Sequence, residues 1–307
     1  MAKRRGLGNI PQISASLDEP LDKDAPPTIY ATELTPQLAT ASLNLSIEFL
    51  KQQQGLANKY LVFHPFTLFS VLACVFVYLL INTTFPSTIV AHSATGYFYQ
   101  LMLINSRTFV TAFIVFAISA TSIFTFVSRF SETFFKSKIS EITKSNGESV
   151  YGVNLALFKT GNVKPTSKES KNFQKNTHVI MYRATPISII SISENKIISN
   201  PHSLVMNIST MGSRKVYIPS GILEDLVDWA LIRTKEIAQK EKYGSSMKVL
   251  INVYSFDTVL KSCLRKKGFS LIQSGKLQEN RILGGLFGVQ SELWGVQFHY
   301  EPAKSEK

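Results

Sequence analysis

The chain has 307 residues, a mean hydropathy of +0.08 and a formal net charge of +12. Only 18% of it is charged, too little for a soluble chain of this length and too evenly mixed for a disordered one. Two cysteines exclude a disulfide-built scaffold and a multi-cysteine zinc site.

Residues 1–35 are polar, carry prolines and hold no apolar run of signal-peptide length, so they read as a largely disordered segment with no cleavable signal. Thr35 reads as an N-cap with Pro36 at the first helical position. Leu38, Ala41, Leu45, Phe49 and Leu50 follow at helical spacing, which predicts an amphipathic juxtamembrane helix over 36–58.

Two uncharged stretches follow, Tyr60–Ile81 and Phe109–Val127. Roughly 20 apolar helical residues cross a hydrocarbon core of about 30 Å, so each is long enough to span a bilayer. His64-Pro65 lies in the first turn of the first stretch, where proline is tolerated. Lys51 and Lys59 precede the first span, and Arg129, Lys136, Lys138 and Lys144 follow the second. The connecting loop, 82–106, holds no Lys or Arg. The positive-inside rule places both termini in the cytosol and the loop in the lumen. The sequon Asn82-Thr83-Thr84 abuts the membrane and is expected to be poorly glycosylated.

Neither span holds Asp, Glu or Lys, which argues against a transporter or pump. Ala117, Thr121, Thr125 and Ser128 recur at spacings of four, four and three and share one face of the second span. Small and hydroxylated residues let helices approach and bond across an interface. The same hydroxyls also bond back onto their own helix, and the sequence leaves both readings open.

Beyond the second span, Phe130, Phe134, Phe135, Ile139 and Ile142 alternate with lysines over 128–150, as in a helix continuing along the membrane surface. Residues 159–177 hold five lysines and one glutamate among polar breakers and read as a solvated loop near anionic headgroups. Residues 129–307 carry a net charge of +11, yet aromatic residues do not interleave with the basic run, so nucleic acid is not expected as a partner.

Residues 151–303 read as a cytosolic α+β domain, followed by a short tail, 304–307. Val179–Tyr182, Ile187–Ile192, Leu204–Ile208 and Lys248–Val253 are β-branched strands. Ile222, Leu223, Leu226, Val227, Ala230 and Leu231 mark an amphipathic helix with Ser220 as its N-cap, and Phe256–Lys267 a second helix ended by Gly268. Phe269–Ile272 is a further strand, and Gly284, Gly285 and Gly288 punctuate a closing hairpin that runs to Phe298. The histidines stand at no ligand-type spacing, so neither metal nor other cofactor is expected. Cys74 and Cys263 read as buried thiols, and Trp229 and Trp294 as core residues.

The strand, the helical run Ser255–Phe269 and the next strand are similar to the second half of the GNAT acetyltransferase fold, where a helix after a splayed strand ends in a Gly-Phe pair, here Gly268-Phe269. The resemblance implies a coenzyme A pyrophosphate loop around Val216–Leu223. Only Gly221 of its two glycines remains, Pro219 lacks a donor, and Leu223 takes the second glycine's place. Leu264 stands where the family commonly has a tyrosine acid, and Asp257 where an asparagine is usual. These departures favour a non-catalytic GNAT-like module. An unrelated α+β domain and an active membrane-anchored N-acetyltransferase are the alternatives.

The block Pro26-Pro27-Thr28-Ile29-Tyr30, then Thr35-Pro36-Gln37 and Ser42-Leu43-Asn44-Leu45-Ser46, followed by two spans and a basic domain, resembles the fungal inorganic phosphate transport protein family. That resemblance implies a membrane chaperone of the endoplasmic reticulum that packages the high-affinity phosphate transporter, a polytopic client, for exit, with vesicle coat components as further partners. The face of Ala117, Thr121, Thr125 and Ser128 is the expected client contact.

Overall fold

The computed structural model describes residues 28–85, 93–161, 172–241 and 243–299. In chain order it holds strand β1 (Ile29–Glu33), helices α1 (Ala39–Val62), α2 (Pro65–Asn82), α3 (Ala94–Ile104), α4 (Ser106–Lys144), α5 (Glu148–Tyr151) and α6 (Leu155–Lys159), and strands β2 (Thr177–Tyr182), β3 (Thr185–Glu194) and β4 (Ser203–Ser213). A 3-10 helix (Lys215–Ser220) leads into α7 (Ile222–Lys240), then β5 (Ser246–Tyr254), α8 (Thr258–Lys266), β6 (Ser270–Lys276), a π-helical turn (Ile282–Leu286) and β7 (Gln290–His299).

The strands form one sheet in the order β1-β2-β3-β4-β5-β7-β6. Only β4 and β5 are parallel; every other pair is antiparallel. A parallel pair needs a crossover, and α7 supplies it. Buried Leu226, Val227 and Ala230 of α7 and Leu264 of α8 pack on Ile190, Met206 and Val249 of the sheet. An α+β body beside a two-helix apolar hairpin is the expected fold class.

The body is not confined to residues after the hairpin, as a domain over 151–303 would be. β1 precedes α2, yet pairs with β2 in the register Tyr30↔Met181 and Ala31↔Ile180. Residues 29–33 therefore have structure, and the Ile29-Tyr30 pair that carries the family resemblance is sheet edge. α1 also belongs to the body. Its buried Leu45 and Phe49 share a cluster with Leu34, Tyr151, Leu155, Val179 and Ile189, covering the sheet face opposite α7. Tyr151 pins α5 to α1: its hydroxyl lies 2.6 Å from Ser46 Oγ and 3.3 Å from the Ser42 carbonyl. Burial raises the Tyr151 pKa, so this phenol stays a neutral hydrogen-bonding group. The amphipathic face read from 36–58 is thus spent on protein, not on lipid.

The chain breaks at Phe63-His64 instead of running as one span from Tyr60. Pro65 cannot donate within a helix, so a new helix starts there, with the His64 side chain accepting from the Phe66 N–H at 3.3 Å. Tyr60–Val62 form the last turn of α1, and Leu61 is fully buried. Thr67 Oγ1 donates to the Leu61 carbonyl at 2.7 Å across the break. The helix read from Thr35 starts later: Pro36–Leu38 form a turn, and Leu38 precedes the first helical residue without a side-chain cap.

α4 has 39 residues, about 58 Å at 1.5 Å each. Its second half runs from the membrane-length stretch into the body. Phe134 and Phe135 are buried there with Leu61, Phe256 and Phe287, so this segment packs against protein and not along a membrane surface. The stretch 82–106 contains the helix α3, whose Phe98, Tyr99 and Leu103 are exposed. The lysine-rich run lies mostly outside the described residues; within its end, Phe173 is buried against Phe158.

Candidate functional site

Two places are candidates for function: the outer face of the α2/α4 hairpin and a cleft in the sheet. Both α2 and α4 carry an uncharged window long enough to cross a bilayer, with mean hydropathy of 2.1 and 2.2. Most of each window faces outward. Phe69, Leu72 and Phe76 of α2 and Val110, Phe113 and Ile118 of α4 are all more than half exposed, a patch that water tolerates poorly. Cys74 lies on this outer surface and is not buried, whereas Cys263 is buried and burial pushes its thiol up to about 12.

α2 and α4 meet along their other sides, through Val71 and the small Ala112 and Ala120. The Tyr78 and Thr111 hydroxyls meet at 2.6 Å across the two helices, and Thr111 Oγ1 also lies 3.0 Å from the Arg107 and Thr108 carbonyls of its own helix. At the far end Asn105 binds Thr84 three ways: it accepts from Thr84 N and Oγ1 at 2.9 Å and donates to the Thr84 carbonyl. The sequon is held at both ends, because the Asn82 amide donates to the Tyr78 carbonyl at 2.9 Å.

Ala117, Thr121 and Thr125 are exposed on α4 and Ser128 is half-buried, so the first three share a face turned away from α2. The threonine hydroxyls fold back: Thr121 donates to the Ala117 carbonyl and Thr125 to the Thr121 carbonyl, each at 2.8 Å. Each oxygen keeps acceptor capacity, and the stripe keeps its shallow relief. It is a surface for close approach more than a row of free donors.

The cleft comes from a strand that splays, as the acetyltransferase resemblance implies. β4 and β5 pair from Ser203↔Ser246 to Ile208↔Ile251 and then part. β4 continues to Ser213 along β3, and β5 to Tyr254 along β7. A cavity of about 580 Å³ opens there, roofed by Gln52, Leu56 and Lys59 of α1 and floored by Gly212, Leu223 and Asp257. Phe49 reaches Gly212 so closely that a Cβ there would lie 2.4 Å from the ring.

Around Val216–Leu223 the backbone is the 3-10 helix. The Tyr217 and Gly221 N–H groups are spent on Arg214 and Ile218 carbonyls, and the Ser220 hydroxyl on Tyr217, so Ser220 does not cap α7. Gly221 precedes α7 with φ of 85°, in the left-handed region. Glu224 and Asp225 occupy the first turn of α7, where the helix dipole favours negative charge. Those carboxylates repel a pyrophosphate at the same place. Leu264 is fully buried in the core and leaves no ionisable donor at that position. Asp257 caps α8 through Leu260 N–H at 3.0 Å. Burial raises its pKa, and that hydrogen bond and Lys261 oppose the rise.

One ionisable group near the cleft has no sequence signal pointing to it. Tyr254 lines a second cavity of about 290 Å³. Burial first, then Glu279, pushes its hydroxyl up to about 12. Its ring stacks on Phe256, and only the splay of β5 brings it there. Trp294 is core, whereas Trp229 is half-buried and stacks on His178, 4.7 Å between ring centroids. Among the described residues, no three His, Cys, Asp or Glu side chains stand together as a metal site.

Residues 11–298 match the family described as inorganic phosphate transporter chaperone Pho86. The chain belongs to this family. Membership of a phosphate transporter chaperone family, with two membrane-length helices, makes the chain a membrane-associated chaperone whose client class is a phosphate transporter. No curated protein matches the chain. Among solved structures it is similar to Arabidopsis thaliana Naa50 in complex with a bisubstrate analogue, at 14% identity over 40% of this chain and 72% of that one, TM-score 0.31. A GNAT-family acetyltransferase from Streptococcus pneumoniae gives 14% identity, 43% and 75% coverage and a TM-score of 0.33. Arabidopsis thaliana NAA60 with a bisubstrate analogue gives 12%, 44% and 84%, and 0.32. Likenesses this distant carry nothing about activity.

Proposed function

We propose that this family member acts in the endoplasmic reticulum membrane, where it holds the high-affinity phosphate transporter through the α2/α4 hairpin and assists its packaging and exit. The family match carries the chaperone part. The hairpin supplies the physical means. A polytopic client exposes polar groups in lipid before its helices assemble, and each costs free energy there. A partner hairpin with small residues at Ala117, Thr121, Thr125 and Ser128 covers such surfaces by close approach. Both termini lie in the cytosol in this reading. It is supported by the lysine and arginine flanks and by β1 and β2, which put the chain before and after the hairpin into one sheet. The cytosolic body then stands beside the membrane, free to meet coat components.

Purification of the full chain from reticulum membranes in mild detergent tests this. The phosphate transporter should co-purify in excess over unrelated polytopic proteins. Equal recovery of all of them, or none of the transporter, contradicts it.

The cleft favours a second reading, a membrane-anchored N-acetyltransferase of the GNAT type, with Tyr254 of the neighbouring cavity as a candidate phenol. Saturable binding of acetyl-coenzyme A by the full chain would support it. The occupied first turn of α7, the spent N–H groups and the buried Leu264 count against it, and the non-catalytic reading is preferred.

A further inference from the structure

The glycine-rich segment before β7 is a built turn at a fixed height on the molecule. Asn280 Oδ1 accepts from the Ile282 and Leu283 N–H groups at 3.0 and 3.1 Å and caps it. A Cβ on Gly284 would lie 2.3 Å from the Leu277 carbonyl oxygen, so only glycine closes it.

Both membrane-length helices meet this turn. From the α2 side, the Phe287 ring lies 5.3 Å from His64 and 6.0 Å from Phe66, centroid to centroid. Tyr60 donates to the Phe287 carbonyl at 3.0 Å. α4 packs on the turn as well, and its Val127, the last residue of the uncharged stretch, shares a buried cluster with Leu283 and Phe287. α2 has 18 residues, about 27 Å at 1.5 Å each, against a hydrocarbon core of about 30 Å. It has no length to spare. If it crosses, Phe66 sits at the boundary, and so does whatever touches Phe66.

The outward side of the turn suits that level. Leu286, the neighbour of Phe287 in the chain, is 49% exposed, and on the α2 side of Phe287 so are Phe63 at 66% and Phe66 at 45%. Lys59, Arg129 and Arg281 are exposed at the ends of the segments that meet there. Glu279, an exposed acid three residues before the turn, is paired with Lys138 at 2.9 Å. An apolar tip with a basic margin is the composition of an interfacial contact.

We propose that the turn Ile282–Leu286 is a third membrane contact: Leu286 enters the acyl boundary of the bilayer that α2 and α4 cross, and Arg281 meets anionic lipid phosphates. This rests on the reading that α2 spans. The turn then acts as a foot that holds the sheet, with its cleft, at a fixed distance and tilt from the membrane.

Tryptophan substitution of the full chain in vesicles of zwitterionic and anionic lipid, with and without brominated chains, tests it. The native Trp229 and Trp294 provide the background signal. Leu286→Trp should lose emission to bromines, more when they sit near the headgroup than near the chain ends. Ile197→Trp is the aqueous control, since Ile197 is 96% exposed beyond the start of β4, at the opposite end of the sheet from Tyr254. Phe76→Trp, in the middle of α2, reports the span itself. Leu286→Trp unquenched while Phe76→Trp is quenched overturns the foot and leaves the span standing. Phe76→Trp unquenched removes the span and the foot together. All three substitutions fall on exposed side chains, so each variant keeps its core.

Discussion

Gly212 and Phe49 are a close pairing in the body, strand backbone against a ring from the other side of the hairpin. Gly212→Val should force the ring aside and cost about 1–3 kcal/mol. Phe49→Ala should relieve part of that cost in the double variant, and thermal melts of all four proteins measure the coupling. His178 makes a second residue-level test. Burial between strand and Trp229 lowers its pKa, so the folded state holds this imidazole neutral where the unfolded chain protonates it. Below about pH 6.5 the unfolded state binds more protons, so stability should fall as pH drops through that window. His178→Phe keeps the stack on Trp229 and should flatten the fall between about pH 7 and pH 5, read as the melting midpoint. Neither residue was legible beforehand. A lone glycine in a strand pattern does not name what approaches it, and a lone histidine does not name its stacking partner.

At the scale of elements the periodic signals were legible and the long-range pairings were not. The 3.6-residue repeat of α7 and the uncharged stretches of α2 and α4 are local properties, and so is the Gly268 stop of α8. β1 is five residues long and all of its β2 partners lie about 150 residues away in sequence, a distance that no periodicity encodes. The amphipathic face of α1 was visible, but sequence does not tell protein from lipid as the surface it covers. Ala31→Pro should remove a ladder position from β1 and make the body after the hairpin protease-sensitive, although the change lies before the first span. On α4, Thr121→Leu with Thr125→Leu leaves insertion intact and adds bulk where close approach is needed. Since both hydroxyls bond to their own helix, the loss comes mainly from bulk, about 1–2 kcal/mol or roughly tenfold in client association. Val115→Leu with Ile118→Leu should change co-purification little. Full binding by the threonine pair variant would move the client contact to another face.

Across the whole molecule, the hairpin is an insertion into a body that closes only when both flanks meet. The two-helix anchor, the basic α+β body and the family were all within reach of the sequence. The discontinuity was not, because it depends on β1 and α1 covering Val179, Met181 and Ile189 from before the hairpin. A fragment of residues 150–307 lacks that cover and should bind hydrophobic dye and aggregate. Adding residues 28–62 on a second chain should reduce both. Tags at residue 2 and residue 307 should be cleaved together by protease outside sealed microsomes. The most direct test of the account is the fate of the transporter in cells without this protein. The phosphate transporter should remain in the endoplasmic reticulum while other polytopic cargo reaches the plasma membrane on schedule. Normal arrival of the transporter, or equal retention of all cargo, would contradict a client-specific packaging chaperone.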